Sequence, residues 1–292
     1  MGLQLPQAAR RLAVGAAVGL PLLMLAGCSE ESPGSADKWA MPKNSPATLE
    51  GHDIASLWKY AWIAALITGV IVWALIFYVA WRYRRRSDDE IPVQTRYNLP
   101  LEIFYTIAPI MMVIVLFYWT VTVQNRILPE HPKDPDITVD VVGQQWQWTF
   151  NHAVPDSSPD GAKWVYEAGT ASHIPTLVLP VDETVRFNLT SPDVIHSFWV
   201  PAFLMKMDVV PGRHNSFQVT PNVIGEYVGK CTELCGVYHS RMLFNVSVRS
   251  QADYQKYLQD QINAGFVADT PLLGGAQAYT QAGLESQEGG QE

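Results

Sequence analysis

Charge is scarce in this 292-residue chain: Asp, Glu, Lys and Arg together make up 16% of it, against about 25% in an ordinary soluble domain. That shortage, with 48% hydrophobic residues and ten tryptophans, argues against a cytosolic enzyme and for a membrane protein. Cysteine is scarcer still, and three cysteines are too few for a disulfide framework. The chain has no internal repeat and no dominant low-complexity tract, which excludes collagen-like, solenoid and wholly disordered classes. Positive charge is in deficit, with 20 Lys+Arg against 28 Asp+Glu and a net charge of −8. That balance argues against nucleic acid and favours a basic or positively patched partner.

What is present begins with a processing signal. Arg10 and Arg11 precede an apolar and small-residue run from Leu12 to Ala26, ending in Leu25-Ala26-Gly27-Cys28. A basic start, a short apolar stretch and small residues before a cut site form a secretory signal. The run is too short to span a bilayer comfortably. Cysteine directly after Leu-Ala-Gly resembles a bacterial lipoprotein signal, in which Cys28 is lipidated and becomes the new N-terminus. The alternative is an ordinary signal with an incidental cysteine. This reading gives a signal peptide at 1–27 and an exported linker at 28–54.

Two stretches then lack charge altogether, Ala61–Trp81 and Ile103–Val123, each of 21 residues. Each is long enough to cross about 30 Å of hydrocarbon as a helix. Trp58, Tyr60, Trp62, Tyr78 and Trp81 sit near the ends of the first, where interfacial aromatics belong. The helices are expected at about 55–83 and 100–125. The loop between them carries Arg82, Arg84, Arg85, Arg86 and Arg96, and the positive-inside rule makes it cytoplasmic. Both flanks then lie outside, in agreement with the exported N-terminus. Glu102, at the start of the second helix, reads equally as an acid favoured by the helix dipole or as a functional carboxylate at the membrane boundary.

After Pro135 the pattern becomes short and alternating. Strands are expected at Ile137–Val142, Trp146–Phe150, Thr176–Val181, Val185–Thr190, Ser216–Thr220, Glu226–Gly229 and Leu243–Val248. Turn signals such as Pro159-Asp160-Gly161 and Pro211-Gly212 separate them, which suggests a β-sandwich or barrel. A helical piece at 251–264 and a flexible Gly, Gln, Ala and Glu-rich tail at 268–292 follow. The divisions are thus 55–126 for the hairpin, 127–252 for the exported domain and 253–292 for the C-terminal helix and tail.

The chemistry lies in Cys231-Thr-Glu-Leu-Cys235-Gly-Val-Tyr-His239-Ser-Arg-Met242, with His196 upstream in Asp193-Val-Ile-His196. Soft sulfur with imidazole suits copper, zinc or iron–sulfur. A Cys231–Cys235 disulfide, a Cys₂His₂ zinc site and a merely packed Met242 are the competing readings. The thioether argues against zinc, and the second cysteine argues against a mononuclear blue-copper site. Two sulfurs bridging two coppers, each capped by one histidine, would use every ligand, with a backbone carbonyl near Glu233 as the remaining donor.

The loop Cys-x₃-Cys-x₃-His-x₂-Met, with Asp-Val-Ile-His, Val210-Pro-Gly-Arg213, Gly143-Gln-Gln-Trp146-Gln-Trp148 and the two-helix hairpin, resembles subunit II of the haem–copper cytochrome c oxidases. The resemblance runs from the first helix to about residue 250. The lipoprotein start, the Gln-Trp-x-Trp-x-Phe form and Arg241 beside Met242 are most similar to actinobacterial members. It implies a cupredoxin-like sandwich after the membrane hairpin. It also implies a dinuclear copper centre held by the side chains of His196, Cys231, Cys235, His239 and Met242 and the carbonyl of Glu233. Magnesium shared with subunit I is implied at the Glu233 side chain. Trp146 becomes the point where electrons arrive from a c-type cytochrome, Asp193 part of the donor's docking face, and Glu102 the cytoplasmic mouth of a proton path into subunit I. Oxidase subunits I and III and membrane lipid are implied neighbours. The implied donor is the dihaem cytochrome c of a quinol–cytochrome c reductase joined in a supercomplex. The sequence departs from the family where Gln147 replaces the tyrosine of Gln-Trp-Tyr-Trp and where Pro192, not glutamate, precedes Asp193. It has no Cys-x-x-Cys-His, so no fused cytochrome c is implied. A copper-free quinol-oxidase subunit and a lipoprotein copper chaperone are the rival readings. The retained ligands speak against the first and the paired membrane helices against the second.

Overall fold

The computed structural model describes residues 39–130, 132–154, 164–170 and 173–273. Cys28 and the signal peptide lie outside the described residues, as does the tail from residue 274. The chain divides into two units, Met1–Lys43 and Asn44–Glu292, and the second holds the long helices and both sheets.

Helix α1 spans Leu49–Arg82 and α2 spans Leu99–Ile127. Helix α1 begins at Leu49 rather than near residue 55, because its first turn is polar and precedes the apolar run. Thr48 caps it, accepting the Gly51 N–H at 3.0 Å. Helix α2 continues through Pro109. Asn98 accepts the Leu101 N–H at 3.3 Å, while the Glu102 carboxylate accepts the Asn98 N–H at 2.9 Å. This reciprocal cap satisfies two N–H groups that a helix start otherwise leaves without partners. Both helices are long and apolar enough to cross a membrane, and their most apolar windows are unburied. Arg126 near the end of α2 pairs with Asp53 near the start of α1 at 3.6 Å, as an antiparallel hairpin requires.

The rest is a sandwich of two sheets. One has the order β11-β3-β2-β1-β5-β8 and the other β4-β10-β9-β6-β7. The first comprises β1 (Ile137–Gln144), β2 (Gln147–Ala153), β3 (Trp164–Ala168), β5 (Val185–Thr190), β8 (Asn215–Val219) and β11 (Val267–Ala268). The second comprises β4 (Thr176–Pro180), β6 (His196–Val200), β7 (Met205–Val209), β9 (Gly225–Cys231) and β10 (Leu243–Arg249). In β5 every second residue is fully buried, Val185, Phe187 and Leu189, as a pleated strand with one face on the core demands. Between the sheets Phe198 and Phe244 stack at 5.0 Å, and the edge of Trp148 meets both. Each such ring contributes about 1.5–3 kcal/mol by burial.

Four strands escaped the sequence reading. Strand β6 (His-Ser-Phe-Trp-Val) is buried at all but one position, so it shows no alternation. Strands β3 and β7 carry mixed patterns, and β11 has only two residues. Strand β2 begins at Gln147, not Trp146. Gln144 pairs with Gln147, which leaves Gln145 and Trp146 as a two-residue hairpin loop. Residues 268–273, the described start of the tail, are ordered against the sandwich: Ala268 pairs with Trp164, and the Leu272 N–H donates to Asn151 at 2.9 Å.

Helix α3 (Gln251–Asn263) packs Tyr254 and Leu258, one turn apart, against Val165 and Val178. Beneath it lies His152, with no exposure, its Nδ1 3.1 Å from the Tyr254 hydroxyl and its Nε2 without a partner among the described residues. Burial pushes this imidazole down to about 4. The folded state thus prefers the neutral ring, and the associated stability is fully present above the unfolded value near 6.5. It is lost as pH falls from there through about 4, with an upper size of about 3 kcal/mol. Thermal unfolding of the chain should therefore weaken between pH 6.5 and 4, and His152→Phe should flatten that dependence. An identical pH slope in the variant would contradict this account.

Candidate metal centre

The centre is built where two paired strands end. Strand β6 starts with His196 and β9 finishes with Cys231, and Phe198 lies opposite Cys231 across the ladder. The loop after β9 carries Glu233 and Cys235, then a 3-10 turn at His239–Arg241, then Met242 just before β10. The ligand-type atoms of His196, Cys231 and Cys235 all lie within 4.8 Å of one another, and all three residues are buried. The His196 Nδ1 is 3.9 Å from Cys231 Sγ, and the two sulfurs are 3.9 Å apart as free thiols. Cys235 Sγ is 3.5 Å from His239 Nδ1 and 3.8 Å from Met242 Sδ. The Glu233 carbonyl lies 3.3 Å from Cys231 Sγ. His196, Cys231 and Cys235 thus form one cluster, and His239, Met242 and the Glu233 carbonyl each approach one of its sulfurs.

Electrostatics favour a cation there. Burial pushes the Cys231 thiol up, but hydrogen bonds from His196 and the adjoining backbone outweigh it and bring the thiol down to about 7. Burial and the neighbouring Cys231 push Cys235 up to about 12. Two thiols this close resist ionising together, and a bound metal ion relieves that by replacing their protons with positive charge. Two thiolates, two imidazoles and a thioether form a soft donor set that fits copper.

Asp193 stands behind the ligands. Its Oδ1 accepts from His196 Nε2 at 2.9 Å, and Oδ2 accepts the Gln145 N–H at 2.7 Å. Burial works against the ionised carboxylate, but the His196 and backbone bonds hold it below its usual range. The side chain is 29% exposed, so the residue expected on a docking face also orients an imidazole, with Nδ1 left facing the sulfurs.

Trp146, at the hairpin tip, reaches the same loop. Its indole N–H donates to the Cys235 carbonyl at 3.2 Å, and the Gln145 amide donates to that oxygen at 2.6 Å. The Trp146 ring meets Tyr238 edge-on at 5.1 Å. Gly236 permits this approach: its φ is +125°, and a Cβ there would lie 3.0 Å from the indole. Around the tip Leu234 and Val237 are 78% and 84% exposed. Gln145, Gly236 and Tyr238 were missed from sequence, although Gly236, directly after Cys235, was a signal that could have been read. Glu102 lies apart, at the start of α2, engaged in its cap.

Comparison with known proteins identifies the family. The family model for "Cytochrome C oxidase subunit II, periplasmic domain" matches residues 137–249, which is β1 to β10. A probable cytochrome c oxidase subunit 2 from Streptomyces avermitilis is 45% identical over 293 residues, covering 90% of each chain. Cytochrome c oxidase subunit 2 of Mycobacterium tuberculosis is 36% identical over 306 residues, covering 87% of this chain and 82% of its own. The crystal structure of the periplasmic domain of subunit II of cytochrome oxidase from Bradyrhizobium japonicum is 27% identical. It covers 46% of this chain and 98% of its own, with a TM-score of 0.40. With nine-tenths of its length aligned to relatives at this identity, the chain belongs to the cytochrome c oxidase subunit II family.

Proposed function

We propose that the chain relays electrons one at a time from a c-type cytochrome to haem in subunit I, where oxygen becomes water and protons are pumped. The observation that carries this is the gathering of His196, Cys231, Cys235, His239 and Met242 around one buried point, with Trp146 bonded to the Cys235 carbonyl. His196, Cys231, Cys235, His239, Met242 and the Glu233 carbonyl would hold two coppers. When bound, copper would supply a redox centre that takes up and passes on one electron at a time. Asp193 fixes the His196 tautomer, and the sandwich core holds both ligand strands still, so little rearranges when charge changes. Trp146 links the outer surface to a ligand backbone through its N–H.

Copper-loaded full-length protein should give a multi-line paramagnetic spectrum from one electron shared by two coppers. A single-copper spectrum would refute the assignment. The retained and assembled ligands also argue against a copper-free quinol-oxidase role.

In this reading the Glu233 side chain offers a ligand for magnesium shared with subunit I, and subunit III completes the oxidase. Cys28 carries lipid, the Arg82–Arg96 loop is cytoplasmic, and the sandwich lies on the outer face of a bacterial plasma membrane. Asp193 contributes to an acidic docking face. The donor is the dihaem cytochrome c of a quinol–cytochrome c reductase, held in a supercomplex. Mild-detergent purification should bring down both complexes, and repeated recovery of the oxidase alone would count against that partner.

Glu102 would collect protons at the cytoplasmic boundary. Its cap bond supports the plainer role of helix start, worth about 0.3–1 kcal/mol. Glu102→Ala in the assembled oxidase should leave the copper spectrum intact and slow oxygen turnover. Unchanged turnover would reduce Glu102 to its cap.

A further inference from the structure

The turn after β6 and the segment that leads from β8 into β9 both meet the entry of the first membrane helix. Strand β6 runs from His196 to Val200 and continues into the turn Pro201–Phe203. Strand β9 starts at Gly225, shortly after Thr220–Asn222, and runs to Cys231. The entry to α1, from Ala47 onward, is hydrogen-bonded to the turn after β6 and to Thr220–Asn222, which link the end of β8 to β9. The Ala47 N–H donates to the Ala202 carbonyl at 2.9 Å, Leu49 N–H to the Thr220 carbonyl at 3.0 Å, and Asn222 N–H to the Ala47 carbonyl at 3.0 Å. Glu50 adds the charged part. One carboxylate oxygen accepts the Thr220 N–H at 2.8 Å and the other accepts the Thr220 hydroxyl at 3.3 Å. At the edge the side chains of His52 and Asn222 meet at 3.2 Å. Ala47 and Thr48 have no exposure, and a Cβ on Gly51 would lie 3.0 Å from the Phe203 carbonyl oxygen.

We infer that this joint is a positioning device and that Glu50 is its central positioning residue. It sets the height and tilt of the metal centre relative to the membrane helices. The inference rests on the relay reading above. A domain joined to its neighbour by a plain linker moves relative to it by default, and electron transfer falls exponentially with distance. Here the lever is short and stiff: the paired strands β6 and β9, five and seven residues long, cover roughly 16–23 Å of the way from joint to ligands. A first-turn acid ordinarily serves its own helix, through the dipole or the cap. Glu50 instead turns both oxygens to Thr220 on the sandwich.

The test uses the full chain in its oxidase complex. Glu50→Ala should leave the copper spectrum and reduction by the donor unchanged, and slow onward transfer to haem roughly 10-fold or more, as small misplacements do. Amide exchange in the metal-free chain should rise at residues 47–52 and at Thr220 and Asn222. Glu50→Gln should restore the rate, since its amide still accepts the Thr220 N–H and can donate to the hydroxyl. Unchanged onward transfer in Glu50→Ala, or loss of the copper spectrum together with the rate, would overturn the inference. Should Glu50→Ala not assemble, Asn222→Ala removes only the half-buried side-chain contact with His52. It should give a smaller fall with raised exchange, and no fall would again overturn the inference. A wild-type complex without the shared-electron spectrum would remove the relay reading and this inference with it, even with the joint's amides protected.

Discussion

Cys231→Ser and Cys235→Ser are each expected to abolish the shared-electron copper spectrum and electron delivery to subunit I. Each sulfur has a distinct set of neighbours: Cys231 lies against His196 Nδ1 and the Glu233 carbonyl, Cys235 against His239 Nδ1 and Met242 Sδ. A hydroxyl is a hard, weakly acidic donor and cannot replace a bridging thiolate for a soft metal. The loss should exceed the roughly 10–100-fold that removal of an outer-shell partner costs. Asp193→Asn, which keeps a polar contact to His196, provides that milder comparison. Metal analysis, the paramagnetic spectrum and oxidase turnover, measured on the same preparation, decide the matter. Normal turnover in either serine variant would be incompatible with the assignment.

Trp146→Phe is expected to slow electron transfer from the cytochrome by more than an order of magnitude while leaving donor binding nearly unchanged. Phenylalanine keeps an aromatic ring against Tyr238 but loses the N–H that reaches the Cys235 carbonyl. The stability cost of that bond is small, about 0.5–1.5 kcal/mol, and Gln145 still donates to the same oxygen. The copper spectrum should therefore survive. Stopped-flow reduction of the centre, set beside an equilibrium binding measurement, separates the two effects. If binding and transfer fell together, Trp146 would be a packing residue of the hairpin tip.

The membrane hairpin was legible from the chain because a long uncharged run is a local property, and only the polar first turn of α1 was missed. Strand β5 was equally plain, since its alternation of buried and half-buried residues is written in adjacent positions. Strand β6 was not, because a strand buried at nearly every position loses its period of two. The hairpin loop at Gln145-Trp146 looked like the start of a strand. Only the pairing of Gln144 with Gln147 shows the turn.

The sequence by itself determined the donor chemistry. The spacing from Cys231 to Met242 confines two sulfurs, an imidazole and a thioether to one short loop whatever the surrounding fold. Tertiary structure decided everything that reaches this loop from afar. His196 arrives from 35 residues upstream on β6, and Trp146 from 89 residues upstream of Cys235 on a hairpin tip. Asp193 is turned onto His196 rather than left wholly to solvent. Glu50, which the sequence reading leaves in the exported linker, grips Thr220 across a separation of 170 residues. The physical reason is the same in each case. Residue type and short spacing fix which atoms can bind, whereas strand pairing across the sandwich, driven by burial of its aromatic core, fixes which distant atoms share a place.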